Sequence, residues 1–306
     1  MTQVSMAQVK ELRDRTQAGL NDCRGALKDA EGDMEAAVQI ILKKGLAKSA
    51  KRAGAVASEG IVAASVADDG LSGVIVEVNI QTDFAARNED FLSFVDDVVA
   101  VASKADAGAD IGALPSPKGE GTLEDQRKAL VGRLGENVTV RRWDRLAVSQ
   151  GRVHSYVHMG GKIGVLMAAE TAGKGNALKS FLEDAAMQVA AMTPQFVDAS
   201  GVPESAKAEQ RKLFDAQLQE EGKPEAVRPK IIEGKIAKWL KEVCLLDQPS
   251  VMDGEKTVDK VRAGVEAELG SALKLRTFVR YERGEGIEAP AGEDFADEAR
   301  RMAGQA

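Results

Sequence analysis

The chain has 306 residues, 44% of them hydrophobic, so it can bury a proper core and is long enough for two or three domains. A net charge of −7 excludes the clustered Lys and Arg footprint that phosphate backbones demand, so no direct nucleic-acid partner is expected. Two distant cysteines, Cys23 and Cys244, exclude a disulfide framework and fit a reducing compartment; with no leader-like start and no apolar run of about 18 residues, the expected place is the cytoplasm, without membrane association.

In chain order, Val9 and Leu12 mark a first helix, Gly19 a turn, and Cys23, Ala26 and Leu27 a second helix ended by Gly32. Asp33 suits the N-cap of a third helix bearing Met34, Ala37, Val38, Ile41 and Leu42, expected to stop at Gly45. Residues 46–58 then read as a short basic helix running into a linker.

Beyond the linker the sequence repeats itself. Glu59-Gly60-Ile61-Val62 and Gln150-Gly151-Arg152-Val153 each open a β-rich stretch that reaches a second glycine, Gly73 or Gly164, after the same interval of 13 residues (73 − 60 and 164 − 151). Each second glycine begins a strand, Val74 to Val78 or Val165 to Ala168. An amphipathic helix follows in both copies, carrying Phe91, Phe94, Val95, Val98 and Ala102 in the first and Leu178, Phe181, Leu182, Ala185 and Val189 in the second. Leu134-Gly135 then leads to a strand over Val138–Trp143, and Leu269-Gly270 to one over Leu273–Phe278. The fold class is therefore α+β: a three-helix module, then two duplicated subdomains, each a small antiparallel sheet with helices on one face.

A charged helical hairpin interrupts the second copy. It breaks at Gly222-Lys223-Pro224, with Pro224 suited to a first helical turn. Its second arm carries Val227, Ile231, Ile232, Ile236, Trp239 and Leu240; the lower half of the arm must pack on the body or on a second copy of the chain, so the hairpin is a candidate homodimer element. The expected division is 1–55 for the helical module, 56–145 for the first core subdomain, 146–201 with 242–284 for the second, 202–241 for the hairpin, and 285–306 for an acidic C-terminal tail.

Inventory argues against chemistry. His154 and His158 are four apart in a strand-like segment, where they are not expected to share a face as on a helix, and no carboxylate or Cys cluster accompanies them, so no metal site and no cofactor are expected. Nothing brings either cysteine to an imidazole. The run Gly160-Gly161-Lys162-Ile163-Gly164 fails as a phosphate loop, because Tyr156 stands where the first glycine is needed and Ile163 where Ser or Thr is needed; it reads as a hairpin turn.

One segment stands apart. From its second glycine the first copy takes 21 residues to reach Phe94 (94 − 73), the second only 17 to reach Phe181 (181 − 164). The four extra residues fall around Gln81-Thr82-Asp83-Phe84-Ala85-Ala86-Arg87-Asn88, which places an aromatic beside an aspartate at the end of a strand. Two readings stand open: a presented contact loop, or a Phe84 folded back beneath the next helix with Thr82 or Asp83 capping it.

The segment from Glu77 to Asn88 closely resembles the Asp-Phe signature of the bacterial translation elongation factor Ts family. The opening Val9 to Thr16, with Ala18-Gly19, Asp22-Cys23 and Ala26-Leu27, resembles that family's ubiquitin-associated-like amino-terminal domain; Ser155 to Leu166, Gly222-Lys223-Pro224 and Gln248-Pro249 also match. The resemblance implies a guanine-nucleotide exchange factor that binds elongation factor Tu carrying GDP, and promotes GDP release by disturbing the partner's magnesium and phosphate site. It is thus expected to act by protein binding and not as an enzyme. Carried over position by position, it implies that Asp83 and Phe84, with Thr82, wedge near that magnesium, that Lys10, Arg13, Leu20 and Asn21 touch the nucleotide-binding domain, and that His158 lies at the second copy's contact. Gln17 stands where the family commonly has Gly, and Asn21 where it has an apolar residue. The alternative is a non-catalytic adaptor whose three-helix module binds a different partner.

Overall fold

The computed structural model describes residues 4–16, 18–119 and 121–288. Gln17 and most of the expected C-terminal tail, residues 289–306, lie outside them.

Three helices open the chain: α1 (Met6–Thr16), α2 (Leu20–Asp29) and α3 (Met34–Arg52). Their apolar stripes meet around Val9, Leu12, Cys23, Ala26, Leu27 and Ala37. Glu31 and Gly32 take left-handed backbone, which lets the Gly32 amide bond the Leu27 carbonyl and close α2, and the Asp33 carboxylate accepts the Ala36 amide to start α3. α3 does not stop at Gly45 as expected, nor is 46–52 a separate helix. Gly45 is a contact glycine instead: it crosses Gly132 of α5 (Leu123–Leu134), where a Cβ on Gly132 would lie 2.6 Å from the Gly45 Cα. Absence of side chains brings the two backbones together, so the glycine serves packing and the helix runs on.

Two antiparallel three-stranded sheets follow, each a hairpin joined by a third strand that returns after the helices. The first holds β1 (Glu59–Val66), β2 (Ser72–Ile80) and β3 (Val138–Ala147), and the second β4 (Arg152–His158), β5 (Ile163–Glu170) and β6 (Lys274–Glu282). The duplication extends to their irregularities. Arg141 is skipped in the β2–β3 register between Glu77 and Val78, and Arg276 in the β5–β6 register between Ala168 and Ala169. Gly60 and Gly151 have matching positive φ values of 129° and 133°, and a Cβ on either would strike a facing carbonyl oxygen, Val78 or Ala169, at about 2 Å.

The sheets pack on each other through Val62, Ile75, Val153, Leu166 and Tyr281. The second glycines make this close approach reciprocal: a Cβ at Gly73 would meet Val153 and Leu166, and one at Gly164 would meet Val62 and Ile75. Matched backbone bonds add to the joint, Val62 N–H to the Gly161 carbonyl at 2.8 Å and Val153 N–H to the Gly70 carbonyl at 2.7 Å. On the far face of the first sheet lie α4 (Glu89–Lys104) and α5, sealing Val74, Val76, Val78, Phe91, Phe94 and Leu130. α6 (Asn176–Met192) and α9 (Val258–Leu269) cover Val165, Met167 and Leu275 on the second.

The hairpin pairs α7 (Glu204–Glu220) with α8 (Arg228–Val243), held by Arg211–Glu233 and Arg228–Asp215 ion pairs, both 3.2 Å. Pro224 precedes a single 3-10 turn, and Pro229 instead occupies the first turn of α8. Trp239 and Leu240 pack with Phe196, Val202 and Cys244, so the lower part of α8 rests on the body.

One buried charge ties the segment that follows β6 to the first sheet. Glu77, 0% exposed, accepts from Arg142 Nε at 2.5 Å, Arg141 Nη1 at 3.0 Å, Asn79 Nδ2 at 3.1 Å and the Gly284 amide at 2.7 Å. Burial alone would raise its carboxyl, yet the Gly284 amide and the two guanidiniums hold it below the ordinary value. Arg142 also stacks over the Tyr281 ring at 4.2 Å.

Candidate partner-binding site

β2 ends at Ile80, and the inserted residues form a single 3-10 turn, Ala85–Arg87, before α4. Ala85 and Ala86 seal against the core of the first sheet. Phe84 points the other way and is 85% exposed, more than any other described large hydrophobic. The folded-back reading therefore fails. Capping also differs: α4 is capped by Asn88, whose side chain accepts the Asp90 amide at 2.9 Å, while the Thr82 hydroxyl accepts the Ala85 amide at 3.2 Å within the loop. Asp83 lies beside Phe84 with its carboxylate 3.3 Å from Arg87 Nη2. Both partners are solvent-exposed, and such pairs are worth about 0–1 kcal/mol, so the carboxylate is easily exchanged to another cation.

The loop is braced from outside. Thr82 donates from its amide (3.1 Å) and its hydroxyl (2.8 Å) to the Glu136 carboxylate, and Gln81 Oε1 accepts the Asn137 amide at 2.7 Å. Sequence reading missed Glu136 and Asn137. Their signal was faint, two polar residues after the helix-ending Leu134-Gly135.

On the helical module Lys10 and Arg13 sit on the solvent face of α1, and Leu20 and Asn21 are exposed at the start of α2. His158 ends β4 and is exposed, its ring stacked on Tyr156 with centroids 5.8 Å apart and Nδ1 hydrogen-bonded to the Tyr156 hydroxyl at 2.9 Å. Exposed Val157 and Met159 flank it, giving an apolar tip that the sequence reading did not single out. The turn beyond holds Gly160 and Gly161, both with positive φ, and its amides at Gly161 and Lys162 are taken by the His158 carbonyl. That is a hairpin turn whose donors are turned inward.

One expectation about the histidines needs correction. A strand's period of two puts His154, Tyr156 and His158 on one face of β4, but four residues at about 3.3 Å each separate the imidazoles too far to share a ligand. His154 is buried and its Nε2 lies 2.9 Å from a Glu183 oxygen on α6. Among the described residues no group of three or more His, Cys, Asp or Glu is placed to hold a metal, and no helix is long and apolar enough to cross a membrane.

The comparisons with known proteins converge on one family. The family model described as elongation factor TS matches residues 81–285, which begins at the loop itself. The elongation factor Ts of Clostridium botulinum strain Eklund 17B is 42% identical over 304 residues, covering 99% of this chain and 100% of that protein. Those of Clostridium acetobutylicum and of Clostridium perfringens strain SM101 are each 42% identical, over 301 and 299 residues, covering 98% and 97% of this chain and 98% of each relative. By the family model and by these full-length relatives, the chain belongs to the elongation factor Ts family of translation elongation factors.

Proposed function

We propose that this protein is the guanine-nucleotide exchange factor of elongation factor Tu, acting by protein binding and without chemistry of its own. The observation that carries the reading is the bare Phe84 ring beside Asp83 on a braced loop. Leaving an aromatic ring in water forfeits roughly 1.5–3 kcal/mol of burial, which a partner's pocket recovers. Thr82, Asp83 and Phe84 enter the partner near its magnesium. The metal ion is a large local charge bridging the phosphates, so disturbing its ligands loosens GDP. Lys10, Arg13, Leu20 and Asn21 hold the nucleotide-binding domain, and His158 with its exposed apolar neighbours holds a second surface of the partner. Linkage makes the coupling reciprocal: a factor that weakens nucleotide binding is itself weakened by nucleotide, so incoming GTP releases it. The same reading assigns 1–55 and 56–145 to the nucleotide-side grip and 146–201 with 242–284 to the distal one, with the cytoplasm as the working compartment.

The test is stopped-flow release of a fluorescent GDP analogue from elongation factor Tu. Acceleration that saturates with the purified chain supports the reading. An unchanged release rate refutes it and favours an adaptor role.

A further inference from the structure

Phe84 has little internal packing to aim it, so the loop's direction is set by its backbone. Four hydrogen bonds hold the loop from outside, one to its backbone at the Thr82 amide and three to the side chains of Thr82 and Gln81, and all of them end on the turn between α5 and β3. Gly135 adopts left-handed backbone (φ 74°) at the end of α5, which reverses the chain and aims Glu136 at Thr82. Asn137 is buried, and works in two directions: its amide holds Gln81 at 2.7 Å, while its side chain donates to the Ala55 carbonyl at 2.8 Å, where the linker leaves the helical module.

The duplication supplies an internal control. In the second copy, which lacks the insertion, the turn after Gly270 carries Ser271 and Ala272 at the equivalent places. What remains there is a hydroxyl pair, Thr171 with Ser271 at 3.5 Å. Carboxylate and carboxamide thus accompany the inserted loop and are missing where it is missing.

We infer that Glu136 is a positioning residue for the Phe84 loop, and that Glu136 and Asn137 together hold this loop and the helical module's linker in one register, so that two contact surfaces meet a partner as a preformed pair. This rests on the exchange reading above for its consequence, and on geometry alone for the hold itself. Losing the brace leaves the loop competent for only a fraction of the time, and apparent affinity falls by that fraction.

Two measurements test it. In the chain alone, hydrogen exchange is followed at the Thr82, Ala85 and Ala86 amides, which are bonded to Glu136, the Thr82 hydroxyl and the Thr82 carbonyl. Glu136→Ala is expected to speed exchange there about tenfold, equivalent to about 1.4 kcal/mol, with the melting temperature unchanged, and Glu136→Gln, which keeps an acceptor, to restore most of the protection. In GDP release, Glu136→Ala is expected to raise the half-saturating concentration about tenfold while leaving the maximal rate within about twofold, and to add nothing on a Phe84→Ala background. Unaltered amide exchange in Glu136→Ala overturns the inference, and so does full additivity with Phe84→Ala. Should the unaltered chain fail to accelerate release, the exchange reading falls, and amide exchange alone then decides whether Glu136 holds the loop.

Discussion

Replacing Glu77 by Gln tests how the segment after β6 is fixed to the first sheet. The carboxylate is fully buried and is met by two guanidiniums, a carboxamide and the Gly284 amide. A Gln keeps one acceptor oxygen but turns an NH2 toward donors, so at least one guanidinium bond is replaced by a donor facing a donor. Removing one partner of a buried pair costs about 3–5 kcal/mol. Here Arg141 and Arg142 retain bonds to the Glu285 and Glu282 carbonyls and are partly solvated, which brings the expected loss just below that range, to about 2–3 kcal/mol. Urea unfolding at pH 7 reads this as a lower midpoint with unchanged slope. The pH dependence has a fixed sign. A carboxyl held below its ordinary value of 4.5 stabilises the fold fully above that value, and this contribution disappears as pH falls through the lowered folded value. The gap between wild type and Glu77→Gln should therefore be constant from neutrality to about pH 5 and narrow below pH ~4. A gap under about 1 kcal/mol at pH 7, or one that widens in acid, would refute the reasoning.

Two further outcomes follow from the packing. Gly132→Ala places a Cβ 2.6 Å from the Gly45 Cα, backbone against backbone, so α3 must move off α5; a loss of about 1–3 kcal/mol and faster amide exchange along α3 are expected. Both cysteines are buried, and burial, with Asp247 and Asp198 nearby, pushes the Cys244 thiol up to about 11. Iodoacetamide at pH 8 should label neither thiol in the native protein and both after denaturation, and rapid native labelling at either would contradict the described core.

The fold was legible where the sequence signal is periodic. Apolar spacing located the helices, and paired glycines revealed the duplication because Gly60 and Gly151 face carbonyls that a Cβ would strike. Gly45 misled, because a glycine at a helix crossing and a glycine at a helix end are the same letter, and only the facing Gly132 distinguishes them. At the candidate site the four-residue insertion was readable from the mismatch between copies, whereas the direction of Phe84 was not. That direction depends on Glu136 and Asn137, more than 50 residues later, and no local pattern announces such a pairing. The exposure of Val157 and Met159 escaped for a similar reason, since a strand's end reads like its middle until the turn is built.

The central claim is that the exposed Phe84 ring, and not the stability of its subdomain, drives nucleotide release. The direct measurement is the stopped-flow GDP release rate with Phe84→Ala, beside its thermal melting curve. Truncating a central aromatic contact typically costs about 2 kcal/mol or more, so release at equal factor concentration should slow by roughly 30-fold or more while melting stays unchanged. Wild-type acceleration by Phe84→Ala would contradict the account.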